Sequence, residues 1–173
     1  MDQIEPAGEI AGPPTFNRFE HVSLPCRDLE EAKRFYTEIM GGALSVEQGP
    51  FAQVNLAGAK IGFSTVGATF MTPGAEYPHI AFDVGPEALV AMKAWLAACG
   101  IPTSALWTRK GVEALMFFLD PSGNVIEMYC KRGYAHAAGL PRGPARGHGA
   151  AIDIDALHYS GWRIPGCGET KSG

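Results

Sequence analysis

The sequence predicts an α+β fold in which one unit of strand, helix, strand and strand occurs twice. Three observations support this prediction. Two strand patterns open with a histidine, His21 and His79. Each is followed by an amphipathic helical pattern and then by apolar strand patterns. The two copies start about 60 residues apart, and a repeat with a shared order of elements indicates two modules of one domain.

The first unit has clear start and stop signals for its helix. A strand pattern over residues 16–24 alternates in polarity and precedes Asp28. Asp28 is the predicted N-cap, with Glu31 as its capping-box partner. The glycine pair Gly41-Gly42 ends the helix. Further strands are predicted over residues 51–56 and 60–66.

The second unit repeats this order after a Gly/Pro-rich linker over residues 67–78. A strand over residues 79–84 precedes Pro86, which suits the first position of a helix. The helical pattern continues to Cys99, and Gly100 stops it. Further strands are predicted over residues 115–119 and 125–129.

The stretch FFLDPSGNVIEMY, residues 117–129, predicts two strands joined by a tight Asp-Pro-Ser-Gly-Asn turn. Glu127 lies in the second strand and shares a face with Val125 and Tyr129. If that face is buried, the carboxylate needs a cation, a metal or a proton, because burying it unpaired is costly. The alternative is an edge strand whose Glu127 face meets water.

Composition sets the broad class. The chain has 173 residues, 46% hydrophobic and 18% charged, which is typical of a globular protein. A net charge of −4 gives no basic field for nucleic acid, and no apolar run is long enough to cross a bilayer. The N-terminal residues 1–15 have no signal-peptide pattern and predict a flexible leader. Because the four cysteines are widely separated, we expect a reduced, cytoplasmic protein.

The segments HVSLPCRDLEEAKRFYTEIMGG, HIAFDV and FFLDPSGNVIEMY resemble the vicinal oxygen chelate superfamily, which includes glyoxalase I, extradiol dioxygenases and bleomycin-resistance proteins. The resemblance covers about residues 16–132, with module 1 at about 16–66 and module 2 at about 79–132. It implies two βαβββ modules that form a curved mixed sheet around a metal cup. It therefore implies one more strand in each module, near residues 44–47 and 104–107. The fold hosts several chemistries, so the resemblance does not name the reaction.

The resemblance also implies a set of metal ligands. Matching the family positions gives His21 and His79 from the first strand of each module, and Glu127 from the last strand of module 2. The position of a fourth ligand falls on Gly62, which has none to offer. Two imidazoles and one carboxylate leave three coordination positions open, as in non-haem Fe(II) oxygenases. Fe(II) is the first expectation, and Mn(II), Ni(II), Co(II) or Zn(II) suit the same ligands.

The acid/base groups of extradiol dioxygenases have no match, since Phe117 and residues 108–110 replace them. The substitutes considered are Tyr129, Tyr77 and His136. Arg109 and Lys110 offer positive charge to an anionic substrate, with Phe117 beside them. Their alternative role is an ordinary exposed hairpin tip.

The extension over residues 133–173 lies outside the resemblance. It is mostly irregular, with a short strand pattern over residues 151–159. Since it contains Tyr159 and Trp162, we expect it to pack on the sheet, on a partner subunit, or over the cup as a lid carrying His136, His148 or His158.

These inferences predict a metal-dependent enzyme whose small substrate chelates the metal through two oxygens. An extradiol-type dioxygenase is the first hypothesis, because a fourth protein ligand is missing. A glyoxalase-like lyase, an isomerase or a thiol transferase is the second. A metal-free small-molecule binding protein is the rival from another class. The resemblance further implies a homodimer, and nothing indicates a nucleic-acid or membrane partner.

Overall fold

A computed structural model describes residues 19–143 and 152–166. Within them, four strands belong to the first module and three to the second. The predicted leader over residues 1–15, His148 and Cys167 lie outside the described residues. The elements are β1 (His21–Pro25), α1 (Leu29–Arg34), β2 (Ala43–Gln48), β3 (Phe51–Leu56), β4 (Ala59–Ser64), β5 (His79–Asp83), α2 (Pro86–Cys99), β6 (Ala114–Leu119) and β7 (Val125–Cys130).

The strands form two mixed sheets. The first has the order β1-β4-β3-β2 and the second the order β5-β7-β6. In each, the first strand of the module pairs in parallel with the last, and the remaining pairs are antiparallel. This arrangement confirms the α+β fold of two βαβββ-like modules. No helix in the described part of the chain has the length and apolar composition to cross a membrane.

The predicted helix boundaries are confirmed. The Asp28 side chain accepts a hydrogen bond from the Glu31 amide at 2.9 Å, as an N-cap should. Helix α1 continues as a π-helical turn over Phe35–Ile39. Helix α2 starts at Pro86 and ends at Cys99, and its C-cap Gly100 has a left-handed φ of 81°.

Of the two extra strands that the resemblance implied, one is confirmed and one is not. Residues 44–47 lie within β2. The strand expected near residues 104–107 is reduced to a single bridge between Trp107 and Leu115. The Ser104 hydroxyl, rather than a main-chain carbonyl, accepts the hydrogen bond from the Phe117 amide at 2.9 Å. The Ser104 amide still donates to the Phe117 carbonyl at 2.8 Å, so the side chain replaces one backbone acceptor of the ladder and interrupts the regular strand pattern.

The prediction of a strand over residues 151–159 is wrong for the part described. A 3-10 turn covers Asp155–Leu157. The Asp153 carboxylate accepts a hydrogen bond from the Ala156 amide at 3.2 Å. Such a local bond stabilises a turn instead of a strand, and the apolar alternation in the sequence does not reveal it.

One core joins the two modules. The inner faces of both sheets pack against the helices in a shared apolar cluster. The Tyr36 hydroxyl donates to the Asp120 carboxylate at 3.1 Å, and the Trp95 indole donates to the Ile39 carbonyl at 3.1 Å. Asp120 begins the Asp-Pro-Ser-Gly-Asn turn and Asn124 ends it. The side-chain amide of Asn124 donates to the Pro25 carbonyl at 2.9 Å. The Asp-Pro-Ser-Gly-Asn turn is therefore the joint between the modules.

The outer face of the second sheet carries a second apolar cluster, to which the C-terminal extension contributes. Ile154 and Leu157 are buried against β6 and β7. The Tyr159 hydroxyl donates to the Leu119 carbonyl at 3.1 Å. Farther along, the Trp162 ring lies 6.3 Å from that of Phe35. The described part of the extension thus packs on the sheet and on the helix of the first module, one of the placements expected.

Candidate functional site

His79 and Glu127 meet on the outer face of the second sheet. Strands β5 and β7 run parallel, with His79 opposite Val125 and Ala81 opposite Glu127. Side chains at these positions point to one face, and His79 Nε2 lies 3.3 Å from Glu127 Oε2. The Glu127 side chain is only 4% exposed. Of the two alternatives for Glu127, the buried one is correct, and the carboxylate has the partners that burial requires.

A main-chain contact fixes the His79 ring. Its Nδ1 donates to the Glu76 carbonyl at 3.0 Å, which leaves Nε2 to face Glu127. The hydrogen bond with Glu127 raises the pKa of His79; burial opposes this, and the Glu76 carbonyl reinforces it. An imidazole with one nitrogen held by an acceptor and the other directed at a carboxylate is oriented as metal-binding histidines are.

Arg109 is the third member of this group. Its Nη2 donates to Glu127 Oε1 at 3.2 Å, and the Arg109 side chain is 34% exposed. The guanidinium lies over two aromatic rings, 5.2 Å from the Trp107 centroid and 5.7 Å from that of Tyr129. The two oxygens of Glu127 are thus divided between His79 and Arg109.

Phe117 and Trp107 form an apolar wall beside the pair. The Phe117 ring is 5.3 Å from His79 and 5.4 Å from Trp107. Both aromatic side chains are buried. The Lys110 side chain is exposed, and its backbone amide donates to Glu113 at 2.9 Å. Of the predicted substrate-binding residues, Arg109 and Phe117 therefore contact the pair, and Lys110 lies on the surface.

His21 lies on the other sheet. Its ring is 52% exposed on the outer face of β1, and its Nδ1 donates to the Glu20 carboxylate at 2.5 Å. Glu20 also pairs with Lys60. Within residues 19–143 and 152–166, no three His, Cys, Asp or Glu side chains lie close enough to hold a metal ion. The structure thus brings His79 and Glu127 together and leaves His21 apart from them.

The position equivalent to Glu127 in the first module is Gly62. His21 pairs with Lys60, and Ser23 with Gly62, in the register that relates His79 to Val125 and Ala81 to Glu127. A Cβ atom at Gly62 would lie 2.8 Å from the Phe51 ring. The Phe51 ring thus fills the place where a fourth ligand would begin.

The three acid/base candidates lie in different surroundings. The Tyr77 ring is 5.0 Å from that of His79 and exposed. Tyr129 lies two residues after Glu127 on the same face, next to Arg109. His136 packs against Tyr134, with ring centroids 6.2 Å apart.

A cavity of about 370 Å³ adjoins His79 at the junction between the modules. Its wall is mainly apolar and includes Leu24, Phe70, Met71 and Val125. This volume suits a small molecule, and His79 is the ionisable residue at its edge.

The donor set fits a divalent metal. Two ligands that bind one ion at right angles, each about 2.1 Å from it, are roughly 3 Å apart. The 3.3 Å between His79 Nε2 and Glu127 Oε2 is close to that spacing.

The sequence argument missed Glu20 and Glu76, which orient the two histidines. Glu20 stands next to His21, but alternation assigns adjacent residues of a strand to opposite faces.

Comparisons with known proteins agree with the fold. The family model described as Glyoxalase/Bleomycin resistance protein/Dioxygenase superfamily matches residues 18–128. No curated protein matches the chain.

Several solved structures are similar. A glyoxalase/bleomycin resistance protein/dioxygenase from Alicyclobacillus acidocaldarius is 21% identical, with a TM-score of 0.57 over 66% of this chain and 92% of that chain. A lactoylglutathione lyase from Agrobacterium tumefaciens is 18% identical, with a TM-score of 0.55 over 68% and 95%. The fosfomycin resistance protein FosX from Listeria monocytogenes, complexed with Mn(II) and sulfate ion, is 19% identical, with a TM-score of 0.59 over 72% and 96%. At these identities the likeness shows the fold alone.

Proposed function

The chain belongs to the glyoxalase/bleomycin resistance protein/dioxygenase superfamily, and from this premise we propose that it is a divalent-metal-dependent enzyme. Its small substrate would bind the metal through two oxygens. The observation that carries the proposal is the pair formed by His79 and Glu127, with Nε2 and Oε2 3.3 Å apart in a largely buried site. A buried carboxylate directed at an oriented imidazole is an arrangement that suits two ligands of one divalent ion.

We propose further that His21 of a second copy of the chain completes the site. His21 is exposed on its own sheet, and Glu20 holds its Nδ1, so Nε2 is the nitrogen left for a metal. Among the described residues the face around it is open, since Val46, which lies on that face opposite Gln53, is exposed. A homodimer that covers this face would bring a second imidazole to the pair, in a symmetric interface with two identical sites.

A bound divalent ion would supply Lewis acidity at its open coordination positions. The chain itself orients the His79 ring through the Glu76 carbonyl. Phe117 and Trp107 exclude water on one side of the pair. Tyr77 and Tyr129 are the phenol groups placed to hold or move a proton at a bound substrate.

Extradiol-type oxygenation with Fe(II) is the first candidate reaction. Its support is Gly62, where the Phe51 ring occupies the space of a fourth ligand. Three protein ligands leave room for a bidentate substrate and O₂. A lyase, isomerase or thiol-transfer reaction with Mn(II), Ni(II), Co(II) or Zn(II) is the second. Metal-free binding of a small apolar compound is a third candidate, and the cavity of about 370 Å³ favours it.

Metal analysis of the purified protein tests the proposal. We expect near-stoichiometric divalent metal in the wild type and its loss in Glu127→Gln. Asp83→Asn is the matched control, because Asp83 lies exposed on the neighbouring strand and pairs with Lys131. Oxygen uptake with catechols then separates an oxygenase from a lyase or isomerase. A wild-type protein that takes up no metal on reconstitution would leave the metal-free binding function.

A further inference from the structure

We propose that Arg109 binds an anionic group of the substrate and that the metal makes Arg109 available for it. This inference rests on the proposed metal-dependent function and names the substrate class: a small molecule with a carboxylate, phosphonate or similar oxyanion beside its metal-binding oxygens. Metal and anion would then bind cooperatively, with Glu127 as the shared element. An ordinary structural ion pair between Arg109 and Glu127 predicts no such coupling.

The Arg109 guanidinium has more N–H donors than its bond to Glu127 uses. An arginine side chain carries five N–H donors in a planar fork that suits oxyanions. A single bond to Glu127, from Nη2 at 3.2 Å, is found within the described residues. The side chain is 34% exposed, so part of the fork faces the open side of the site. The rings of Trp107 and Tyr129 flank it and restrict its orientation.

The loop that carries Arg109 is fixed before any ligand binds. The Glu113 carboxylate accepts hydrogen bonds from the amides of Arg109 and Lys110, both at 2.9 Å. Arg142 Nη1 donates to the Arg109 carbonyl at 3.0 Å. The Thr108 hydroxyl accepts from the Gly111 amide at 2.8 Å. A guanidinium on such a loop loses little freedom when it binds an anion, which favours affinity.

The charges around Glu127 explain why a bound metal would make Arg109 available to an anion. In the metal-free chain, the negative charge of Glu127 is shared between the Arg109 guanidinium and the His79 ring. When Glu127 binds a divalent cation, the ion, the carboxylate and the guanidinium together carry a net charge of plus two. Arg109 has then lost its counterion beside a wall of buried rings, where screening by water is weak. An oxyanion restores the balance, so metal and anion each raise the affinity for the other by the same factor.

Calorimetric titration of the full-length protein with Mn(II) tests this coupling, with sulfate as the anionic probe. Titrations are run in sodium sulfate and in sodium chloride at equal ionic strength. We expect sulfate to strengthen Mn(II) binding about tenfold in the wild type. Arg109→Gln should abolish the sulfate effect and strengthen Mn(II) binding in chloride, because the guanidinium no longer competes for Glu127. Lys131→Gln removes an exposed charge at the end of β7 and should behave as the wild type.

The outcomes separate this inference from the function on which it rests. If the wild type binds no metal, the proposed function fails and the inference with it. If Mn(II) binds but sulfate strengthens it equally in Arg109→Gln and the wild type, or in neither, the inference alone is overturned. Circular dichroism shows whether Arg109→Gln is folded. If it is not, Arg109→Lys decides, because it keeps the charge without the fork and should retain a weaker sulfate effect.

Discussion

His79 Nε2 and Glu127 Oε2 face each other at 3.3 Å across neighbouring parallel strands, in a site that buries the carboxylate. The first module repeats the register of these strands without the chemistry. Its histidine, His21, lies opposite Lys60, and Gly62 stands where the second module has Glu127. One module thus places an imidazole and a carboxylate side by side, and the other presents a single exposed imidazole. This asymmetry underlies the proposal of a site shared between two copies.

The pair gives the metal-free protein a pH-dependent stability. The hydrogen bond to Glu127 raises the pKa of His79 above its usual value of about 6.5. The stabilisation that protonated His79 provides is therefore complete below a pH of about 6.5, and it is lost as the pH rises through the raised pKa. In EDTA, His79→Gln should lower the free energy of unfolding by about 1–2 kcal/mol near pH 6, and by less near pH 8.

Urea denaturation at several pH values measures this difference. His136→Gln, which replaces an exposed histidine against Tyr134, is the control for a general effect of histidine titration. A deficit in His79→Gln that stays constant from about pH 6 to about pH 8 would show that the charged pair does not contribute.

The joint between the modules is a second target. Tyr36 is buried, and its hydroxyl donates to the Asp120 carboxylate at 3.1 Å. Tyr36→Phe leaves the aromatic packing in place and removes one donor from a buried carboxylate. We expect a loss of about 1–3 kcal/mol in the free energy of unfolding. Tyr77→Phe, which changes an exposed tyrosine, should have no measurable effect on stability. Equal melting temperatures for the two variants would contradict the role of this bond.

Gly62 tests whether the fourth ligand position is closed. In Gly62→Glu the new Cβ would meet the Phe51 ring at 2.8 Å, so we expect a destabilisation of about 1–3 kcal/mol. Phe51→Ala removes the ring that the new side chain would meet. The double variant should therefore lose less free energy of unfolding than the two single variants lose in sum. Chemical denaturation of the three variants measures this coupling. Strictly additive costs would mean that Phe51 does not occupy the position.

Local signals explain how much of the fold the sequence predicts. The cap at Asp28 and the stop at Gly100 depend on neighbours within a few residues, and both are correct. The strands expected at residues 104–107 and 151–159 fail because Ser104 and Asp153 hydrogen-bond to the backbone through their side chains. Neither the family resemblance behind the first expectation nor the hydrophobic pattern behind the second registers such bonds.

The candidate site is less predictable because it depends on contacts between distant residues. The sequence pattern does not decide whether Glu127 is buried. Burial is favourable because His79 and Arg109, which come from other segments of the chain, pair with its carboxylate. The repeat indicates that His21 and His79 are equivalent. It does not indicate that the two histidines belong to separate sheets.

Metal content in a mixture of two variants tests the central claim most directly. His21→Ala and Glu127→Ala each remove one proposed ligand, so neither variant alone should bind metal if the proposed dimer forms. If the site combines His21 of one copy with His79 and Glu127 of the other, a mixed dimer contains one intact site. We therefore expect metal content to return when the two variants are unfolded together and refolded as a mixture. Metal content that stays at the level of the separate variants, while the wild type treated in the same way is loaded, would contradict the shared site.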